Sequence, residues 1–107
     1  MTSVAMLILS AYLLTPEITI SQGIIESNLN PLAIGDNGNS KGAFQIQEKY
    51  LGPVPKCLYL QAKQSENILH SLKGSFETKI QRYNGSGQKT VLYKNKVRKQ
   101  AIELALL

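Results

Sequence analysis

The chain opens on an almost unbroken apolar run, Val4-Ala5-Met6-Leu7-Ile8-Leu9-Ser10-Ala11-Tyr12-Leu13-Leu14, and changes character at Thr15-Pro16. Thr15 is a favourable N-cap, proline suits the first helical position, and Glu17 falls where the helix dipole favours negative charge. The pattern predicts a helix from Pro16 to about Ser27, with Ile18, Ile24 and Ile25 supplying buried contacts. Gly23 weakens that helix but permits a neighbouring element to approach closely. Pro31 stops it, because the residue before a proline is biased to an extended shape. From Leu32 to Gln47 the glycines and asparagines predict tight turns and at most a small irregular hairpin, ahead of a buried Ala43-Phe44-Gln45-Ile46 segment. Gly52-Pro53-Val54-Pro55 marks a loop, and Gln64 to Leu72 has helical spacing in Ile68, Leu69 and Leu72. Gly74-Ser75 breaks that helix, a short one follows from Glu77 to Tyr83, and Asn84-Gly85-Ser86-Gly87 forms a flexible turn. A last helix from about Thr90 to Ala105 carries Val97, Ala101, Leu104 and Ala105 on its buried side. The expected fold class is mainly α, an α+β arrangement in a single domain over residues 1–107.

The leading apolar run has the core of a signal peptide but neither a positive segment before it nor an Ala-x-Ala site after it. It is also short for a membrane span. Residues 2–14 are therefore read as a buried helix of the domain, with no stable membrane span. At 107 residues and 43% hydrophobic content, one core without staples is feasible. Cys57 is the sole cysteine and His70 the sole histidine, so no internal disulfide or ordinary tetrahedral zinc site is possible, and Cys57 reads as structural. No metal or cofactor is expected.

The net charge of +5 points to an anionic partner, nucleic acid or the carboxylate-bearing bacterial wall. Lys89, Lys94, Lys96, Arg98 and Lys99 gather late in the chain, where they read as a solvated helix face. Tryptophan is absent, and of the five tyrosines only Tyr93 lies in this basic run. A single-strand stacking platform wants several aromatics there, so nucleic acid is not the expected partner.

Three short motifs occur in order: Glu26-Ser27 at the end of an apolar helix, Gly42-Ala43-Phe44-Gln45-Ile46 after a Gly35-Asp36-Asn37-Gly38-Asn39-Ser40 loop, and Tyr83-Asn84-Gly85. This set resembles the lysozyme-like superfamily, particularly lytic transglycosylases and goose-type lysozymes, from roughly Thr15 to the C-terminus. The resemblance implies a compact helical domain with a small β element beside a cleft. It also implies cleavage of the β-1,4 bond from N-acetylmuramic acid to N-acetylglucosamine in peptidoglycan.

That chemistry needs a proton delivered to the leaving-group oxygen and a stabilised oxocarbenium-like centre. The acid must stay protonated near neutral pH. A helix C-terminus disfavours a carboxylate's ionisation, and burial beside Ile24 and Ile25 pushes the same way, which suits Glu26. Among the seven carboxylates, Glu17 and Glu77 read as helix-start residues, Glu66 and Glu103 as members of polar helix faces, and Glu48 as part of an exposed turn. Glu26 remains as proton donor, with Asp36 as the nearby acid able to assist. Two readings of Asp36 stay open. In a hydrolase a second carboxylate positions water; in a transglycosylase the substrate acetamido group stabilises the cation and carbon-6 hydroxyl closes a 1,6-anhydro ring. A Gly-Asp-Asn-Gly string is also simply a good turn.

By resemblance, Ser27 should line the saccharide cleft and Gln45 should bond the sugar next to the cleavage point. Tyr83 should orient Glu26 or touch the acetamido sugar, with Asn84 shaping the turn beneath; Phe44 and Ile46 read as core. Two departures stand out: Arg82 replaces the usual alanine before Tyr-Asn, and Ala43-Phe44 replaces Leu-Met. The expected protein is a monomeric peptidoglycan-cleaving enzyme, with a non-catalytic wall-binding or structural module as the alternative of another class. Small size without a convincing export signal fits a phage-encoded protein, virion-carried or helped to the wall or periplasm by virion or secretion-machinery proteins.

Overall fold

Among the described residues the first helix begins at Pro16, where the pattern places it. The computed structural model describes residues 13, 15–83 and 88–105. Among them are five helices: α1 (Pro16–Ser27), α2 (Glu48–Leu51), α3 (Leu58–Ser71), α4 (Phe76–Tyr83) and α5 (Gln88–Ala105). Three strands of two residues each, β1 (Ile34–Gly35), β2 (Ser40–Lys41) and β3 (Ile46–Gln47), complete a mainly helical fold with a small sheet. The helix expected over residues 2–14, apart from Leu13, and the turn expected at 84–87 lie outside the described residues.

Five successive residues of α1, Thr19 to Gly23, are buried. At about 100° per residue such a run leaves no face to solvent, which requires apolar neighbours on more than one side. Ile20 and Ile24 meet one cluster, with Leu13, Leu29, Ala43, Phe44, Ile46 and Ala62. Ile18 and Ile25 meet the other, with Leu69, Ile80, Tyr93 and Val97. Ile18, Ile24 and Ile25 thus pack against the core as the sequence predicts, although each is half-buried; the fully buried isoleucine is Ile20, which the pattern does not single out. α1 lies chiefly along α5 and also touches α3.

Gly23 earns its place by proximity. A Cβ there would collide with the Leu29 side chain and stand 2.8 Å from Cε1 of Phe44. The helix then stops in two left-handed residues, Asn28 (φ 56°) and Leu29 (φ 60°). Asn28 donates its N–H to the Ile24 carbonyl at 2.8 Å, and Leu29 to the Gly23 carbonyl at 3.0 Å. Left-handed backbone at a leucine costs about 1–2 kcal/mol; burying its side chain, here 5% exposed, returns a similar amount.

Two expectations at the start of α1 need correction. Thr15 occupies the N-cap position, but its hydroxyl caps nothing. Its N–H and hydroxyl are instead within reach of Oε2 of Glu66, at 3.0 and 3.4 Å. Glu66 is therefore not on a polar helix face: it is fully buried, with Lys63 at 3.3 Å from Oε1. α3 also begins at Leu58, well before Gln64, because the first part of its buried seam is polar. That seam is Gln61, Ala62, Ser65, Glu66 and Leu69. Cys57 is exposed at the N-cap of α3, so only its backbone has a structural part, accepting from the Gln61 N–H.

The sheet is antiparallel in the order β1-β2-β3, one strand more than the expected hairpin. Ile34 faces Lys41 and Gly35 faces Ser40; Ser40 faces Gln47 and Lys41 faces Ile46. Gln61 holds this region to α3. Its buried Oε1 accepts from the Ala43 N–H at 2.8 Å, while Nε2 donates to the carbonyls of Pro31 at 3.1 Å and Pro55 at 2.8 Å. In α4, Ser75 Oγ accepts from the Thr78 N–H, and Glu77 sits in the first turn as predicted. In α5 the buried seam is Thr90, Tyr93, Val97 and Ala101, while Lys96, Arg98 and Lys99 face solvent.

Candidate functional site

A cleft of about 460 Å³ opens between the end of α1, the small sheet and the end of α4. Its walls include Glu26, Asp36, Gln45 and Tyr83, four residues from separate parts of the sequence. Gly35, Ser40, Gln47 and Arg82 add polar surface, and Ile46, Leu51 and Ile68 add apolar surface. Asn84 lies outside the described residues.

Glu26 is half-buried one residue from the end of α1. Its charge bears on two phenols, the half-buried Tyr83 and the buried Tyr93. Tyr83 is held protonated well above its usual range, mainly by burial, with an opposing effect from the Ser65 hydrogen bond and a reinforcing one from Glu26. The Tyr83 hydroxyl donates to the Phe44 carbonyl at 3.3 Å, so the 2.9 Å contact with Ser65 is one that Tyr83 accepts. Tyr83 thereby braces the backbone just before Gln45.

Tyr93 is raised even more, again by burial first and then by the charge of Glu26. Its hydroxyl faces the side chains of Gln22 and Glu26, which lie about one turn apart on α1. Reading Tyr93 as part of a basic surface run missed this placement. The signal was available, since Tyr93, Val97 and Ala101 recur at intervals of four on one helix face.

The loop side is locally strained. The non-glycine residues with left-handed backbone are Asn28, Leu29, Asp36, Asn37 and Gln45, among the described residues. Asp36 is exposed in the short 3-10 turn Asp36–Gly38, and its Oδ2 accepts from the buried Ser40 hydroxyl. Gln45 is turned by its φ of 50° so that Nε2 donates to the Gly42 carbonyl at 3.0 Å. Its Oε1 lies against Gly35, where a Cβ would strike it.

Ser27 departs from expectation. It is not part of the cleft wall. Its hydroxyl donates to the Ala43 carbonyl at 2.7 Å and accepts from the Asn30 N–H at 3.0 Å, clamping the end of α1 to the loop. Arg82, where the resemblance has alanine, does line the cleft, with Nη1 donating to the Lys73 carbonyl at 3.0 Å.

Comparison with protein-family models, curated proteins and solved structures gave no match for this chain. No group of three metal-ligating side chains occurs among the described residues, and none of the described helices is long and apolar enough to cross a membrane.

Proposed function

We propose that the protein cleaves the β-1,4 bond between N-acetylmuramic acid and N-acetylglucosamine in peptidoglycan, acting as a lytic transglycosylase. The observation that carries this reading is the convergence of Glu26, Asp36, Gln45 and Tyr83 on one cleft. Backbone strain supports it: left-handed non-glycine residues persist where the surroundings enforce them, commonly at functional sites, and two here, Asp36 and Gln45, line the cleft.

In the proposed reaction the Glu26 carboxyl gives its proton to the leaving oxygen as the glycosidic bond breaks. The muramyl acetamido group stabilises the cationic carbon. The Glu26 carboxylate then takes the proton of the carbon-6 hydroxyl, whose oxygen closes the 1,6-anhydro ring. Gln45 bonds the sugar beside the scissile bond, and Tyr83 keeps the Gln45 segment in place. The net charge of +5 favours approach to the anionic wall.

Asp36 in the cleft wall supports a second reading, muramidase hydrolysis with Asp36 positioning the water. Product masses distinguish the two: an anhydro end, one water lighter, against an ordinary reducing end. Glu26→Gln should lower turnover by about 10²–10⁴-fold with wall binding kept. A wild-type protein that binds peptidoglycan and releases no fragment is a wall-binding module, and the proposed activity is then wrong.

A further inference from the structure

Beside the cleft lies a smaller hollow of about 220 Å³, lined by Asn39, Gln47, Lys49 and Tyr50. Gln47 belongs to the walls of both. We propose that this hollow is a second saccharide subsite, which extends the Glu26 cleft along the glycan and takes a carboxylate-bearing sugar. The inference rests on the glycan-cleaving reading above and adds a place where the polymer is gripped away from the scissile bond.

Its chemistry fits such an occupant. At about 220 Å³ the hollow is below the usual 300–1,000 Å³ of a complete small-molecule site, which suits one further unit of a ligand held mainly next door. Tyr50 is 72% exposed, so most of its ring is open to stacking by the C–H face of a pyranose. The Lys49 ammonium lies 5.4 Å from the ring centroid, a cation–π distance that steadies the ring. The amides of Gln47 and Asn39 offer donors and acceptors for an acetamido group. The neighbouring cation Lys41 is tied to Glu48 at 2.7 Å, whereas Lys49 carries its charge at the hollow, where a carboxylate would meet it. A lone exposed tyrosine is ordinary surface; one beside a cation and two amides, in a hollow that shares Gln47 with the acid-bearing cleft, has the makings of a binding surface.

Full-length protein carrying Glu26→Gln, to prevent turnover, is titrated calorimetrically with three ligands: a chitin trisaccharide, a chitin hexasaccharide and a peptidoglycan-type hexasaccharide bearing muramyl carboxylates. Tyr50→Ala should weaken both hexasaccharides about five- to tenfold and leave the trisaccharide within about twofold. Lys49→Met should weaken the carboxylated hexasaccharide about threefold to fivefold, an effect largely lost at high salt, and leave the chitin hexasaccharide within about twofold. Unaltered hexasaccharide affinities in both variants overturn the subsite, as does an equal loss for the trisaccharide. Wild-type digestion of peptidoglycan, run in parallel, keeps the two ideas apart: cleavage with unaltered variants removes only the subsite. Absence of both cleavage and glycan binding removes the function as well.

Discussion

Gly23→Ala sets helix propensity against packing, and the two disagree in sign. Alanine in a helix interior is favoured over glycine by about 1 kcal/mol, so propensity alone makes the variant more stable. The surroundings oppose it. The new methyl would collide with Leu29 and stand 2.8 and 3.2 Å from two Phe44 ring atoms. Neither neighbour yields easily, because Leu29 is 5% and Phe44 1% exposed, and the left-handed backbone fixes where the Leu29 side chain starts. Overpacking of that kind costs about 1–3 kcal/mol, and two buried partners place it toward the upper end. The expected net loss is about 1–2 kcal/mol, or roughly 4–15 °C in melting temperature for a domain of this size. Urea denaturation should show a lower midpoint with an unchanged slope. In a Leu29→Ala background the same substitution should lose most of its penalty, giving a coupling of about 1 kcal/mol. A Gly23→Ala protein at least as stable as wild type refutes the packing argument; an equal penalty in the Leu29→Ala background refutes the choice of partner.

Gln61→Leu should destabilise by about 2–5 kcal/mol in urea denaturation, because three hydrogen bonds go and the buried Ala43 N–H is left unpaired. Gly35→Ala should reduce peptidoglycan cleavage to the level of Gln45→Ala, since Gly35 has φ −131° and ψ −179°, open to alanine, while its Cβ would displace the Gln45 amide; full activity in Gly35→Ala beside an impaired Gln45→Ala would count against it. The Glu48 carboxyl is held below its ordinary 4.5, first by the hydrogen bond from Lys41 and then by the Val54 N–H. A lowered folded pKa gives stability that is complete above about 4.5 and lost as pH falls through the folded value. Glu48→Gln should therefore be less stable than wild type at pH 7, with the gap closing in strong acid, as read from urea midpoints across that range.

The gathering of the candidate site residues was more legible in the sequence than the packing that supports it. Pro16 and the left-handed asparagine at 28 bracket α1 where the pattern puts it, and Phe44 and Ile46 are core as expected. Glu26, Asp36, Gln45 and Tyr83 do meet in a cleft. What periodicity missed was polar burial. Gln61, Ser65 and Glu66 form the inner seam of α3, and a hydrophobic stripe search passes over such a face. Their burial is stabilised by partners distant in sequence, such as Thr15 for Glu66 and Pro31 for Gln61, which no local window contains. Ser27 fails for a related reason: adjacency to the acid said nothing about which way its hydroxyl turns, and it turns to Ala43.

α1 is enclosed through its middle and ends under Glu26, with little freedom to travel. Elements with dense buried contacts open last, and exposed short strands open first. On the proposed glycan-cleaving reading, adjustment to an entering polymer belongs to the opposite bank, where Asp36 and Gln45 ride on two-residue strands and tight turns. Glu26 would then stand still, and the loop would come to meet it.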